Sequence, residues 1–147
     1  MLNANSNDGK SLVLIFPLDN SGCSHYRLRW NAMYYAGHEH LGFKPVLMPF
    51  PIFDGSYLAA AKCLVFQRPI TPGHIELIKR YKALQPKFGY KMVFEVDDQV
   101  FKIDGECIPA YNTASLHFTG DETTEICRQV LPLFDEVVVD RDRKSVV

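Results

Sequence analysis

Apolar residues occur in this chain as short continuous runs, separated by stretches in which they recur at helical spacing. The runs are about four to eight residues long, which is too short for a typical helix and fits strands buried on both faces. We predict strands at 11–18, 43–50, 62–67, from residue 92, and at 136–140. Pro45 and Pro49 mark the second strand as bounded by proline or placed at a sheet edge.

Helical spacing lies between these runs. The first helix is predicted from His25 to about Ala36, and a short helical piece at 56–61. Thr71-Pro72 is a typical helix start, with the hydroxyl as cap, and Pro86 and Gly89 close that helix. Its apolar stripe comprises Ile75, Ile78, Tyr81 and Leu84. On its polar side, Glu76 and Arg80 are predicted to form an ion pair. We predict a long loop at 102–118. A last helix follows a capping box at 119–122, and Pro132 should end or kink it near Val130.

Strands that alternate with helices predict an α/β fold with a parallel sheet and right-handed crossovers. We expect a Rossmann-like sheet of about five strands in the order 3-2-1-4-5, with helices on both faces. One domain would span 11–140, after a disordered polar lead-in at 1–10 and before a tail at 141–147. With this order the switch point lies between the first and fourth strands, where a ligand is expected at the carboxyl ends.

Composition limits the function classes. The chain has 147 residues and a net charge of −1, so no basic field indicates nucleic acid or an anionic membrane as partner. No apolar run approaches the roughly 20 residues of a membrane span. The four cysteines contain no CxxC pair, which favours free thiols in a reducing cytosol over a zinc site or a disulfide framework. We therefore expect a cytoplasmic protein with no metal and no cofactor.

Candidate chemistry collects where the first and fourth strands end. The first strand runs into a loop of small residues containing Gly22, and the helix that follows offers backbone N–H groups and a positive dipole end to an anionic ligand. Gly22 is not part of a GxGxxG or Walker pattern, so a dinucleotide or P-loop site is not indicated. The fourth strand runs into Asp97 and Asp98, which the predicted order places beside the Gly22 loop.

Each candidate residue has two interpretations. Asp98 is either a functional group, which acts as a general base or orients a hydroxyl or cation, or a cap for the following turn. For Asp97 the turn cap is favoured over ligand binding. Arg27 can bind a phosphate or carboxylate through two N–H groups, or pair with a carboxylate at the surface. His25 is a ligand group or a helix cap. Arg68, after the third strand, lines the same cleft or simply ends the strand.

Two further groups are expected to be inert. The aromatic residues of the first helix fit a core position better than an exposed stacking platform; they are Tyr26, Trp30, Tyr34 and Tyr35. Cys23 lies in the loop after the first strand, but the sequence shows no base and orienting partner that would make it a nucleophile.

Three short motifs, taken in order, resemble the N-terminal half of GT-B type glycosyltransferases, especially divergent forms from bacteriophages and O-antigen or cell-surface sugar loci. They are Gly22-Cys23-Ser24-His25-Tyr26-Arg27, Gln67-Arg68-Pro69 and Asp97-Asp98-Gln99-Val100-Phe101, with the helix from Thr71 to Gly89 between the second and third. The match spans roughly 11–140. The resemblance implies sugar transfer from a nucleotide-sugar donor to a glycan or other acceptor, which this half would hold. It also implies that Asp97 and Asp98 do not hold a metal.

The chain departs from this family because the sequence stops after the fifth predicted strand. A GT-B enzyme closes a cleft between two Rossmann-like domains, and the second domain makes most of the donor contacts. We therefore expect a fragment, a half-domain whose partner is another chain, or a fold kept for binding alone. The alternative function is a non-catalytic interaction or structural module, virion-associated or dimeric, in which a second copy or domain covers the open cleft.

Overall fold

Five parallel strands form one sheet in the computed structural model, which describes residues 9–18, 28–69, 71–96 and 120–139. The strands are β1 (Leu12–Pro17), β2 (Lys44–Leu47), β3 (Ala61–Gln67), β4 (Lys91–Val96) and β5 (Glu136–Val139). All four neighbouring pairs are parallel. The predicted Rossmann-like α/β fold is thus confirmed. The predicted lead-in, the loop at 102–118, residue 119 of the predicted capping box and the tail lie outside the described residues.

The strand order is β2-β1-β3-β4-β5, so β3 lies between β1 and β4 and not at the outer edge that we predicted. Proline explains the difference. Pro45 lies within β2, opposite Val13 of β1, and has no N–H to donate to a second neighbour. A four-residue strand with an internal proline suits the edge, whereas the predicted order placed β2 between two strands. The switch point therefore falls between β1 and β3.

Helices cover both faces of the sheet. They are α1 (Trp30–Ala36), α2 (Gly55–Ala60), α3 (Pro72–Phe88) and α4 (Gly120–Val130), and short 3-10 turns span Glu39–Leu41 and Leu131–Leu133. On one face α2, α3 and α4 pack over the even-numbered residues of the central strands, including Phe16, Phe66 and Phe94. On the other face Ala32 of α1 packs near Ile15. The helices in the described part of the chain are too short or too polar to span a bilayer.

Helix α3 begins and ends where the sequence predicts. Thr71 is extended (φ −107°, ψ 155°) and Pro72 opens the first turn, while Gly89 adopts a left-handed conformation (φ 68°) and donates its N–H to Gln85 O at 2.7 Å. Pro86, however, lies inside the helix, since its missing N–H costs only one bond in the last turn. Helix α4 ends at Val130, as predicted from Pro132.

The predicted ion pair from Glu76 to Arg80 is wrong. Glu76 instead accepts a hydrogen bond from Lys79 at 3.0 Å, one residue earlier in the same turn. The guanidinium of Arg80 lies over the ring of Phe53, with its carbon 3.6 Å from the ring centroid. The face of an aromatic ring attracts a guanidinium, whereas water screens an ion pair between two exposed side chains. Arg80 therefore holds the chain segment before α2 against α3.

Candidate functional site

A groove of about 740 Å³ opens at the carboxyl edge of the sheet. Its volume is within the range of small-molecule sites, and its position is the one where parallel α/β sheets bind ligands. The groove lies between the end of β1, the segment after β2 and the first turns of α3. Its lining is mostly apolar with two basic side chains, and comprises Pro17, Leu18, Arg29, Pro49, Phe50, Pro51, Gly73, His74 and Leu77.

Tyr81 of α3 fixes the wall of the groove that follows β2. Its hydroxyl donates to Ile52 O at 2.7 Å and accepts from Ile52 N–H at 2.9 Å. The neighbouring ring of Phe53 stacks on the Tyr81 ring, with 4.6 Å between centroids, and carries Arg80 at 3.6 Å from its own centroid. Burial raises the pKa of Tyr81 to about 12, despite the opposing effect of the hydrogen bond with Ile52. The phenol therefore stays protonated and tied to the wall.

His74 lies at the mouth of the groove as a neutral side chain. Burial lowers its pKa from 6.5 to about 4. Its Nδ1 accepts the Thr71 N–H at 3.2 Å, and the backbone N–H of His74 donates to Thr71 O at 2.9 Å. Because Nδ1 is an acceptor, the ring proton of the neutral imidazole is on Nε2. His74 can thus offer a neutral N–H donor to a ligand without adding charge.

Arg29 supplies a positive charge at the groove, opposite the start of α3. The start of this 17-residue helix carries the positive end of the helix dipole. Both features favour an anionic group at this end of the groove. The apolar side chains of Phe50 and Leu77 line the same groove and favour a flat or ring-shaped neighbour.

Arg68 lies at the carboxyl edge, immediately after β3, and is not among the residues that line the groove. Its backbone is in the left-handed region (φ 46°), where a side chain other than glycine is strained, and it precedes Pro69, which disfavours this conformation further. Its N–H still donates to Glu95 O at 2.9 Å and so extends the pairing of β3 with β4 by one residue. Strained backbone of this kind collects at functional sites.

The other predicted site residues lie outside the described residues: Gly22, His25, Arg27, Asp97 and Asp98. The sheet order nevertheless changes the expectation for them. Strands β1 and β4, which lead to these residues, are separated by β3 and thus by about 10 Å, two strand spacings. Strand β1 borders β3, so Arg68 follows the strand next to β1, and β4 is one strand further away.

Several residues that shape this edge were missed from the sequence. Gln67 is the last residue of β3 and Glu95 is the next-to-last residue of β4. A polar side chain in a strand buried on both faces is a signal that could have been read. Tyr81 was assigned only to the apolar stripe of its helix, where it is indeed fully buried. The role of its hydroxyl depends on a partner 29 residues away and has no local signature.

The prediction that the aromatic residues of the first helix are core residues is wrong for those the structure describes. Trp30 is 53% exposed and Tyr34 is 64% exposed, because α1 turns only Ala32 toward the sheet. With Asn31 and Met33, these side chains line a shallow depression of about 480 Å³. Tyr34 also stacks on His38, with 4.6 Å between ring centroids. We name this surface (Trp30, Asn31, Met33, Tyr34) the aromatic patch.

Cysteine and metal chemistry contribute little to the described site. Cys63 and Cys127 are free thiols, and burial raises their pKa to about 11 and about 12, respectively. Neither is a reactive thiolate near neutral pH. Within 9–18, 28–69, 71–96 and 120–139, no three histidine, cysteine or carboxylate side chains converge as a metal site would require.

Comparison with known proteins gives no family for this chain. No protein-family model matches it, and no curated protein is significantly similar in sequence. Among solved structures, the crystal structure of an aminotransferase from Neisseria meningitidis Z2491 aligns with 77% of this chain at 15% identity and a TM-score of 0.39. The chain spans 30% of the length of that protein.

Proposed function

We propose that this chain is the acceptor-side half of a GT-B-like glycosyltransferase, which transfers a sugar from a nucleotide-sugar donor to a glycan or other acceptor. The observation that carries the proposal is the groove at the carboxyl edge, with Arg29 and the start of α3 at one side and apolar walls elsewhere. This combination suits a ligand that has a ring and an anionic group. The parallel sheet and the order of the three short motifs agree with it.

In the proposed reaction the acceptor hydroxyl attacks the anomeric carbon of the donor, and the nucleoside diphosphate leaves with the electron pair of the broken bond. Asp98 is the proposed base that takes the hydroxyl proton, a role that rests on the sequence alone. The Nε2–H of His74 is positioned to donate to a ligand oxygen, and Arg29 to face an anionic oxygen. Walls held by Tyr81 would exclude water from the bound ring.

Calorimetry with a panel of nucleotide-sugars and methyl glycosides tests this proposal, with and without a supplied second domain. We expect binding by the wild-type chain, and an affinity about tenfold or more lower for Arg29→Gln because a charge-assisted hydrogen bond is lost. Arg128→Gln is the matched control, since Arg128 is an exposed arginine on α4 whose carboxylate partner is Glu125, at 3.7 Å. Absence of heat with every ligand would contradict the proposal.

A second candidate, an interaction module, is favoured by one observation. The aromatic patch exposes large side chains that water solvates poorly, and such surfaces mark contacts with other proteins. A second copy of the chain is the simplest cover. Sedimentation velocity over a wide concentration range would show a dimer that is lost in Trp30→Ser/Tyr34→Ser. A monomer at the highest concentration would rule out self-association.

A further inference from the structure

The carboxyl end of β3 buries a side-chain amide that has no hydrogen-bond partner in the part of the chain that the structure describes. Gln67 is fully buried, and this holds for both its Oε1 and its Nε2. A buried carboxamide without partners destabilises a fold, because both atoms give up their hydrogen bonds to water. Native proteins satisfy nearly all such groups, so an exception at the carboxyl edge, where parallel sheets generally bind ligands, requires an explanation.

Glu95 is the neighbour of Gln67 on the next strand. The two residues are register partners in the parallel pairing of β3 with β4, and both are the last or next-to-last residues of their strands. Partners in register point to the same face, which is the face where Val65 packs near Leu28 of the α1 side. Glu95 as a whole is only 5% exposed. An amide and a carboxylate are thus buried side by side at the carboxyl edge.

The chemistry of this pair selects one class of ligand group. A carboxamide provides one acceptor oxygen and an NH₂ donor, and a carboxylate provides acceptor oxygens only. Hydroxyl groups can donate to an oxygen of either side chain and accept from the amide, whereas an ionised phosphate group only accepts hydrogen bonds. The strained turn at Arg68 fixes Gln67 as the last residue of β3, directly before the chain leaves the sheet.

We propose that Gln67 and Glu95 form a subsite for neighbouring hydroxyl groups of a neutral sugar ring. This inference rests on the proposed function and adds to it the part of the ligand that β3 and β4 recognise. The anionic part of a ligand would lie toward Arg29, on the side of β1 and β2. In this proposal Gln67 lowers the stability of the ligand-free fold and contributes to ligand binding, as polar groups at ligand sites often do.

Replacing the amide by an isosteric apolar side chain separates these roles. In the full chain, Gln67→Met should raise the Tm by roughly 2–4 °C, because an unsatisfied buried amide is removed. The same variant should weaken binding of UDP-glucose or methyl glucoside, or whichever sugar of the panel the wild type binds, by roughly 10- to 100-fold. Binding of inorganic pyrophosphate should not change.

Gln85→Met is the matched control. Its amide donates to Tyr90 O at 2.8 Å and to Asp135 Oδ2 at 2.5 Å, at the opposite edge of the sheet. The same substitution there should lower the Tm and leave sugar affinity unchanged. Gln67→Leu provides a second apolar variant at the proposed subsite.

The outcomes separate the two proposals. A Tm that falls in both Gln67→Met and Gln67→Leu would show that the amide is satisfied, for example by a buried water, and would overturn the subsite. Unchanged sugar affinity in these variants would also overturn it and leave the glycosyltransferase proposal intact. A wild-type chain that binds no sugar of the panel would overturn both.

Discussion

Tyr81→Phe tests whether one buried hydroxyl holds the groove wall in place. The substitution removes one oxygen and keeps the ring, which stacks on Phe53 at 4.6 Å and lies 5.2 Å and 5.4 Å from the rings of Phe66 and Phe16. Tyr90 still donates to the backbone oxygen of residue 81, at 2.6 Å. The change therefore removes the two bonds with Ile52 and little else.

The expected loss follows from those two bonds. Both the N–H and the C=O of Ile52 lose a protein partner, and a buried backbone group left unsatisfied costs about 1–3 kcal/mol. Ile52 is only half-buried, so water can reach it in part and the lower end of the range applies. We expect the free energy of unfolding to fall by about 2 kcal/mol, and the Tm to fall by roughly 4–8 °C.

Urea unfolding followed by tryptophan fluorescence and circular dichroism would measure this loss. Tyr57→Phe is the control, since Tyr57 is 41% exposed; its effect on the free energy of unfolding should stay within about 0.5 kcal/mol. Sugar affinity should fall in Tyr81→Phe and stay constant in Tyr57→Phe. If Tyr81→Phe were as stable as the wild type, the hydroxyl would not hold the wall, and the account of the groove would be wrong.

Three further changes have defined signs. The free energy of unfolding of the wild type should fall by up to about 3 kcal/mol as the pH drops from 6.5 to 4, because His74 is protonated at a higher pH in the unfolded chain than in the folded chain. In urea titrations at each pH, the free energy of unfolding of His74→Gln should fall less over this range. Burial raises the pKa of Asp135, but hydrogen bonds from Met92 N–H and Gln85 lower it below 3.8 overall. In the same assay, Asp135→Asn should therefore be less stable than the wild type near neutral pH, and equally stable at a pH well below 3.8. Gly89→Ala should cost about 1–2 kcal/mol in urea unfolding, because φ is 68° and the new Cβ would lie 2.9 Å from Lys10 Nζ, whereas Gly73→Ala, with open space around it, should not destabilise.

Much of the fold could be predicted because its signals are local. Continuous apolar runs marked all five strands, and Thr71-Pro72 and Gly89 marked both ends of α3. The strand order could not be obtained in the same way, since it depends on which strands pair across the sheet. Pro45 nevertheless indicates the correct order, because a residue without an N–H suits an edge strand. The predicted order did not take this edge preference into account.

The candidate site was predictable only in its location. The carboxyl edge follows from a parallel sheet, and Arg68 does lie there. The groove walls depend on long-range contacts, such as those of Tyr81 with Ile52, and on the exposure of α1. The aromatic residues of α1 were misplaced because helical spacing shows which residues share a side but not how wide the buried side is. Here Ala32 is the one buried residue of α1.

The backbone of Arg68 has a consequence for engineering this protein. Glycine would adopt the same left-handed turn without the penalty of about 1–2 kcal/mol that a side chain brings. Arg68→Gly would relieve this backbone penalty, and it would also delete the guanidinium at the end of β3. A selection for thermal tolerance at this position should therefore be combined with a selection for function.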